Sequence, residues 1–214
     1  VNSDYTKEHL SEFYDNKIDI VYPCCINENN DLQYSKNNTQ FVMIARIFKP
    51  NESSNNKYID VAIKEFNKFK ELNLIIIGSV KDVNYYNELN KQCSENIKIL
   101  IDISDEEKNK IIQKSKYYIS LTGINDNSNY NYEHFGISYI EGLNYNCYPI
   151  CFYKGYPSLH INKTFYGTTI RNSNELNIIL NDIIKNNDKY CNKSINLYDF
   201  SHNNYIDTLN KIID

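Results

Sequence analysis

The chain has 214 residues, 41% hydrophobic and 23% charged, enough for one sizeable core or for a domain with part of a second. A formal net charge of −4 at pH 7 argues against a general nucleic-acid binder, which needs a basic surface. No signal peptide and no apolar run of membrane-spanning length is visible, so the chain reads as cytoplasmic. Its opening at Val1 without a methionine reads as a fragment. The composition is rich in Asn, Lys, Ile and Tyr (20 Tyr), with 6 Gly, 4 Pro and no Trp, a skew towards AT-rich codons. Asn clusters at 27–30, 37–38, 51–56 and 125–131 read as solvated loops, and the sequons at Asn37, Asn51, Asn162 and Asn192 as products of that skew. The 6 cysteines form no C-x-x-C pair and the four His are scattered, so neither a metal site nor a disulfide framework is expected. The thiols read as reduced and mostly buried.

In chain order, Ser3 is a fitting N-cap for a short helix over TKEHLSEFYD, and KIDIVYP follows as a strand or extended linker. Residues 26–40 are polar and loop-like. FVMIAR (41–46) is a continuous apolar run, as in a strand buried on both faces. YIDVAIKEFNKFKEL places Ile59, Ile63, Phe66 and Phe69 at helical spacing. LNLIIIG is a second strand, VNYYNELNKQC a helix and NIKILI (96–101) a third strand. Ser104 and Glu107 stand at capping-box spacing and start the next helix. YYISLT is a fourth strand, followed by a polar loop over 122–132 and a helix containing Glu141. YPICF and GTTI are the last strands. NELNIILNDIIK has Leu176, Ile179 and Ile183 on one face, and NNYIDTLNKII closes the chain as a helix. Unbroken apolar strands alternating with helices imply an α/β fold, a Rossmann-like parallel sheet with helices on both faces.

In such a sheet, ligands sit beyond the carboxyl ends of the strands. Arg46 ends the first strand, Gly78 ends the second, and the loop carrying Glu133 follows the fourth, so the three converge. The first turn of the helix after Gly136 has N–H groups without internal partners and a dipole that favours anions. Glu133 would repel a phosphate there and suits neutral hydroxyls, while Glu141 could take a second hydroxyl pair from the same side. Arg46 and Lys57 can neutralise a diphosphate, with Lys49 a competitor for the second role. A phosphate flanked by two polyol binders is what a nucleotide-sugar presents. His134 reads as a loop-packing residue, Tyr130 and Tyr132 as loop surface, and Cys147 and Cys151 as lining a core strand. A dinucleotide oxidoreductase is disfavoured, because no G-x-G-x-x-G follows the first strand. A receiver-type domain is disfavoured because that strand ends in Arg.

The stretch from Glu133 to Glu141, enclosing HFG, resembles the E-x7-E motif of retaining family 4 glycosyltransferases of the GT-B fold. Arg46 followed by Lys57 resembles the family's Arg and Lys pair. NSDYTKEHLSEFY with VYP resembles the end of the N-terminal lobe, GYPSLHI (155–161) the small-residue turn after the donor-side helix, and DFSHNNYIDTLNKII the closing helix. NEHFG-type and VYPPC-type strings loosely resemble dolichol-pathway mannosyltransferases that use GDP-mannose. The likeness covers nearly the whole chain but only half of an enzyme. It implies three parts: the end of the N-terminal lobe and linker (1–40), a nucleotide-sugar-binding lobe (41–195), and a helix packing back towards the N-terminal lobe (196–214).

The resemblance further implies that Glu133 contacts hydroxyls of the donor sugar and Glu141 the ribose. The backbone amides of Phe135, Gly136 and Ile137 would face sugar and phosphate, and Arg46 and Lys57 would hold the diphosphate. Gly78, Asp102 and Ile103 would lie by the nucleotide, the last two recognising the base through backbone groups. Donor use would need no metal or other cofactor. The partners implied are a nucleotide-sugar donor (GDP-mannose favoured, a UDP-sugar second), a glycan or lipid-linked acceptor, and an N-terminal lobe upstream, through which the protein would meet the cytosolic face of a membrane. Alone, the chain would bind a nucleoside diphosphate weakly and transfer nothing. The sequence departs from the family pattern at Ala45, Asn146 and Ser158. The rival reading is a non-catalytic nucleotide-sugar- or glycan-binding module within a larger protein.

Overall fold

In the computed structural model the described residues are 1–26, 34–49, 56–124 and 131–213; Asn51, Tyr130 and the loop residues 125–130 fall outside them. One six-stranded sheet organises the chain. Its strands are β1 (Asn37–Ile44), β2 (Asn73–Gly78), β3 (Ile97–Ile101), β4 (Ser115–Ser120), β5 (Tyr148–Phe152) and β6 (Thr168–Ile170). Every neighbouring pair is parallel, in the order β3-β2-β1-β4-β5-β6. The order reverses between β1 and β4, and at such a switch point the loops leaving two adjacent strands diverge to opposite faces and open a crevice.

The helices are α1 (Asp4–Ser11), α2 (Ile59–Phe66), α3 (Val83–Gln92), α4 (Asp105–Lys114), α5 (Ile137–Asn144), α6 (Tyr156–Thr164), α7 (Ser173–Lys185) and α8 (His202–Ile213). They cover both sides of the sheet, as strands this apolar require. Phe41, Val42 and Met43 of β1, Leu74 and Ile76 of β2, and Tyr117 and Ile119 of β4 are buried, and Phe41 stacks on Tyr117 with centroids 4.4 Å apart. Ser3 and Ser104 cap α1 and α4 by accepting from Thr6 N–H and Glu107 N–H.

Several sequence expectations are corrected. Residues 37–40 are not loop: β1 starts at Asn37, because the parallel ladder satisfies backbone groups of polar residues as readily as those of apolar ones. GYPSLHI is not a turn but the start of α6, with Pro157 in its first turn, where proline's missing N–H costs nothing. α1 stops at Ser11 and α2 at Phe66; Phe69 is buried from the turn that follows. Of the two readings of residues 17–23, strand or extended segment, the structure shows no strand there. Tyr132 is not loop surface but 3% exposed, stacked on Phe152. Of the cysteines only Cys147 and Cys151 are buried. Asn146 does take a left-handed conformation, φ 57°.

The flanking segments hold the site's loop from outside. Ser3 donates its hydroxyl to the His134 carbonyl at 2.5 Å, and Cys25 N–H donates to the Phe200 carbonyl at 3.1 Å. Tyr22 packs edge-on against Phe200, 5.4 Å between centroids, and faces Phe135 at 6.3 Å.

Candidate functional site

A cleft of about 490 Å³ opens at the carboxyl ends of β1, β2 and β4. Arg46, Lys57, Gly78, Glu133, Phe135, Gly136, Ile137 and Glu141 all line it, so residues spread over 96 positions of sequence meet at one place. Asp102 and Ile103 do not line it. Asp102 is instead attached to its edge, donating its N–H to the Gly78 carbonyl at 3.2 Å from a left-handed backbone, φ 51°. Lys49 is exposed and outside the lining.

Each wall has a local cause. Gly78 is required by a close backbone approach: a Cβ there would stand 1.9 Å from the Ala45 carbonyl oxygen. The β1–β2 ladder runs on past the strands through Ile47 N–H to the Ser79 carbonyl, carrying Arg46 to the rim. Gly136, at φ +87°, turns the chain into α5, and no side chain caps that helix. Its leading N–H groups therefore face the cleft region without an internal partner. Phe135 contributes backbone alone, since its ring is buried against Tyr156, 5.3 Å between centroids. Glu133 is fixed through its carbonyl, which accepts from Tyr156 N–H at 2.9 Å. Gly155 allows this, for a Cβ there would fall 2.6 Å from the same oxygen.

The charges are already partnered. Lys57 Nζ lies 2.5 Å from Glu133 Oε2, joining the start of α2 to the loop after β4. Lys108 Nζ, from α4, lies 2.9 Å from Glu141 Oε1 and 3.1 Å from Asp105 Oδ1. Burial works against the charge on Lys108, but hydrogen bonds to Glu141 and Asp105 outweigh it and hold the ammonium above its ordinary pKa. Glu141 in turn helps burial push the Cys25 thiol up to about 12, so Cys25 is no nucleophile at neutral pH. Arg46 makes no ion pair among the described residues and is exposed. Ser138, one turn below Glu141, shares a hydrogen bond with Tyr118 at 3.0 Å.

Lys108 escaped the sequence reading. The signal available was its place three and four residues before Ile111 and Ile112, on the inward stripe of α4, where a lysine needs a partner. Ser79 and Ser138, which also line the cleft, gave no signal at all. The site can accept an anion at Arg46 and the α5 N-terminus, and can offer two carboxylates to hydroxyl groups on either side.

The model of the family of glycosyl transferases, group 1, matches residues 29–196. No curated protein matches the sequence. Among solved structures, a glycosyltransferase from Rickettsia africae is 17% identical with a TM-score of 0.71, over 98% of this chain and 61% of that one. The pneumococcal O-GlcNAc transferase GtfA, solved with UDP and GlcNAc, is 15% identical with a TM-score of 0.65, over 100% of this chain and 44% of that one. The C-terminal domain of the group 1 glycosyltransferase LpcC from Francisella tularensis is 15% identical with a TM-score of 0.52, over 89% of this chain and 96% of that domain. The chain thus spans about half the length of the longer neighbours and nearly all of an isolated C-terminal domain. Identities this low establish a shared fold.

Proposed function

The chain belongs to the group 1 glycosyl transferases, and from that premise we propose that it is the donor-binding lobe of a retaining, family 4-type enzyme. The observation that carries this is the single cleft in which Arg46, Lys57, Glu133 and Glu141 surround the uncapped start of α5. Arg46 and the α5 amides would take the diphosphate, with Lys57 released to it from Glu133. Glu141 would accept from the ribose hydroxyls and Glu133 from hydroxyls of the sugar. As the glycosidic bond breaks, charge gathers on the departing diphosphate, and the α5 amides, with Arg46 and Lys57 once they have turned to the bound diphosphate, lower the barrier by opposing that charge. Transfer is proposed to need no metal, with Arg46 and Lys57 supplying the positive charge.

The base contacts are proposed for the backbone at Asp102 and Ile103, at the cleft's edge. The looser likeness to mannosyltransferases favours GDP-mannose as donor. A UDP-sugar is the second reading, favoured by two neighbours solved with UDP, GtfA and a TarM variant from S. aureus. The acceptor, a glycan or lipid-linked sugar, would enter from the side of an upstream lobe, which would also provide any approach to a membrane. No helix among the described residues is long and apolar enough to cross one.

Calorimetric titration of the chain with GDP and with UDP, in EDTA, tests the reading. One of the two should bind weakly, and Glu141→Gln should weaken it by about 1.5–3 kcal/mol, the range for a hydrogen bond to a charged group. Failure of both to bind, or an unchanged affinity in both Glu141→Gln and Arg46→Ala, would overturn it.

A further inference from the structure

The loop that carries Glu133 is held from behind by the start of α1. Ser3 is fully buried, and its hydroxyl has two roles. As N-cap it accepts from Thr6 N–H at 3.1 Å, and it gives its one proton to the His134 carbonyl at 2.5 Å, with Thr6 Oγ1 the more distant acceptor at 3.0 Å. Capping uses the oxygen alone, so the contact with His134 is additional to what α1 requires. Neighbouring rings reinforce it. Tyr5 faces the His134 ring at 5.8 Å between centroids, and Tyr22, whose hydroxyl donates to Asp4, faces Phe135.

The consequence falls on the next amide. A trans peptide is planar, with its C=O and N–H on opposite sides, so fixing the His134 carbonyl towards α1 turns the Phe135 N–H away from α1. Phe135 lines the cleft while Ser3 stands outside the lining, and the Phe135 N–H has no hydrogen-bond partner among the described residues. A flip of that peptide would reverse the sign of the wall, presenting a carbonyl oxygen where the N–H now stands.

We propose that Ser3 is a positioning residue for the donor: by holding the His134 carbonyl it aims the Phe135 N–H at the phosphate that bears the sugar. The proposal rests on reading the cleft as the donor site. The order of groups along the wall selects that phosphate. With the sugar at Glu133 and the ribose at Glu141, an amide much nearer Glu133 along the chain meets the β-phosphate rather than the α-phosphate. The N–H opposes the charge on that phosphate, and a flipped carbonyl would repel it.

The test compares Ser3→Gly, Ser3→Ala and Arg46→Ala with the wild-type chain by calorimetry, urea unfolding and ¹⁵N NMR. Glycine caps a helix nearly as well as serine and alanine caps it poorly, so Ser3→Ala should be the less stable of the two. Both lack the hydroxyl, and both should weaken GDP or UDP, whichever binds, by about fivefold. The corresponding monophosphate has no β-phosphate and should keep its affinity. In the ligand-free chain the Phe135 amide resonance should move in both variants. The proposal is overturned if diphosphate and monophosphate weaken equally or if neither weakens. It is overturned too if Ser3→Ala loses far more affinity than Ser3→Gly, as a merely structural role predicts, or if the Phe135 resonance stays in place. A wild-type chain that binds no nucleotide, or binding indifferent to Arg46→Ala, would refute the donor-site reading instead; the Phe135 resonance then still decides whether Ser3 orients the peptide.

Discussion

Glu133→Gln has an effect that a simple contact picture gets wrong. In the ligand-free chain Glu133 holds the Lys57 ammonium at 2.5 Å. On the donor-site reading, a nucleoside diphosphate without its sugar offers Glu133 no hexose hydroxyl, yet must win Lys57 away from it and tolerate a nearby carboxylate. Removing that charge frees the lysine and deletes the repulsion. Two unit charges about 4 Å apart interact by roughly 1 kcal/mol in water and about 4 kcal/mol at the effective dielectric of a protein surface. The side chains are 17% and 20% exposed, so solvent screens much of the larger value. The net gain should be about 1 kcal/mol, or roughly fivefold tighter binding of GDP or UDP.

The intact nucleotide-sugar should respond in the opposite direction. There the substitution removes a charge-assisted bond to the sugar that is worth more than the relieved repulsion. Calorimetry of wild type and Glu133→Gln with diphosphate and with donor, at low and moderate salt, reads both signs. Equal weakening of both ligands would refute the assignment of Glu133 to the sugar and of Lys57 to the phosphate.

Two further outcomes follow from the walls of the site. Gly78→Ala drives a methyl onto the Ala45 carbonyl, so β1 and β2 must part where they carry Arg46; a loss of about 2–3 kcal/mol in urea unfolding is expected, and unchanged stability would contradict the close approach. His160, on the buried side of α6, has its pKa pushed down to about 4, chiefly by burial and then by Lys163, while it shares a hydrogen bond with Tyr139 at 2.8 Å. The unfolded chain takes up that proton near pH 6.5 and the folded chain does not. The contribution, at most about 3 kcal/mol, is therefore complete above pH 6.5 and lost as pH falls towards 4. Urea unfolding across that window should lose this slope in His160→Gln.

What the sequence disclosed and what it hid differ by the range of the interaction. Unbroken apolar runs such as FVMI and LIII announce buried parallel strands because each residue's own hydrophobicity decides its burial. Ser3 and Ser104 announce helix starts because a cap acts over three residues. Arg46, Gly78 and the Glu133–Glu141 stretch could be placed together because strand ends in a parallel sheet share one edge. The start of β1 at Asn37 and the helix at Tyr156 were missed because both depend on partners distant in sequence. Asn37 pairs with Ser115, and Tyr156 donates to Glu133. The Lys57–Glu133 and Lys108–Glu141 pairs span 76 and 33 positions and leave no local trace. Burial of Tyr132 was hidden by the polar loop before it, which gave every nearby tyrosine the look of surface.

Those two ion pairs bear on how an acidic chain could take a doubly charged ligand. Both carboxylates carry a lysine before any ligand arrives, so the cleft is not the field of bare negative charge that the sequence alone suggests. On the donor-site reading, binding becomes an exchange: the diphosphate takes Lys57, and the carboxylate thereby released turns to the sugar's hydroxyls. Neither half of the exchange is favourable alone, because a free sugar finds Glu133 occupied and a bare diphosphate leaves it unpaired beside a new negative charge. Only the intact donor satisfies both partners, which builds discrimination for the nucleotide-sugar over its two fragments into one 2.5 Å contact. The opposite responses of diphosphate and donor to Glu133→Gln are the direct measure of that coupling.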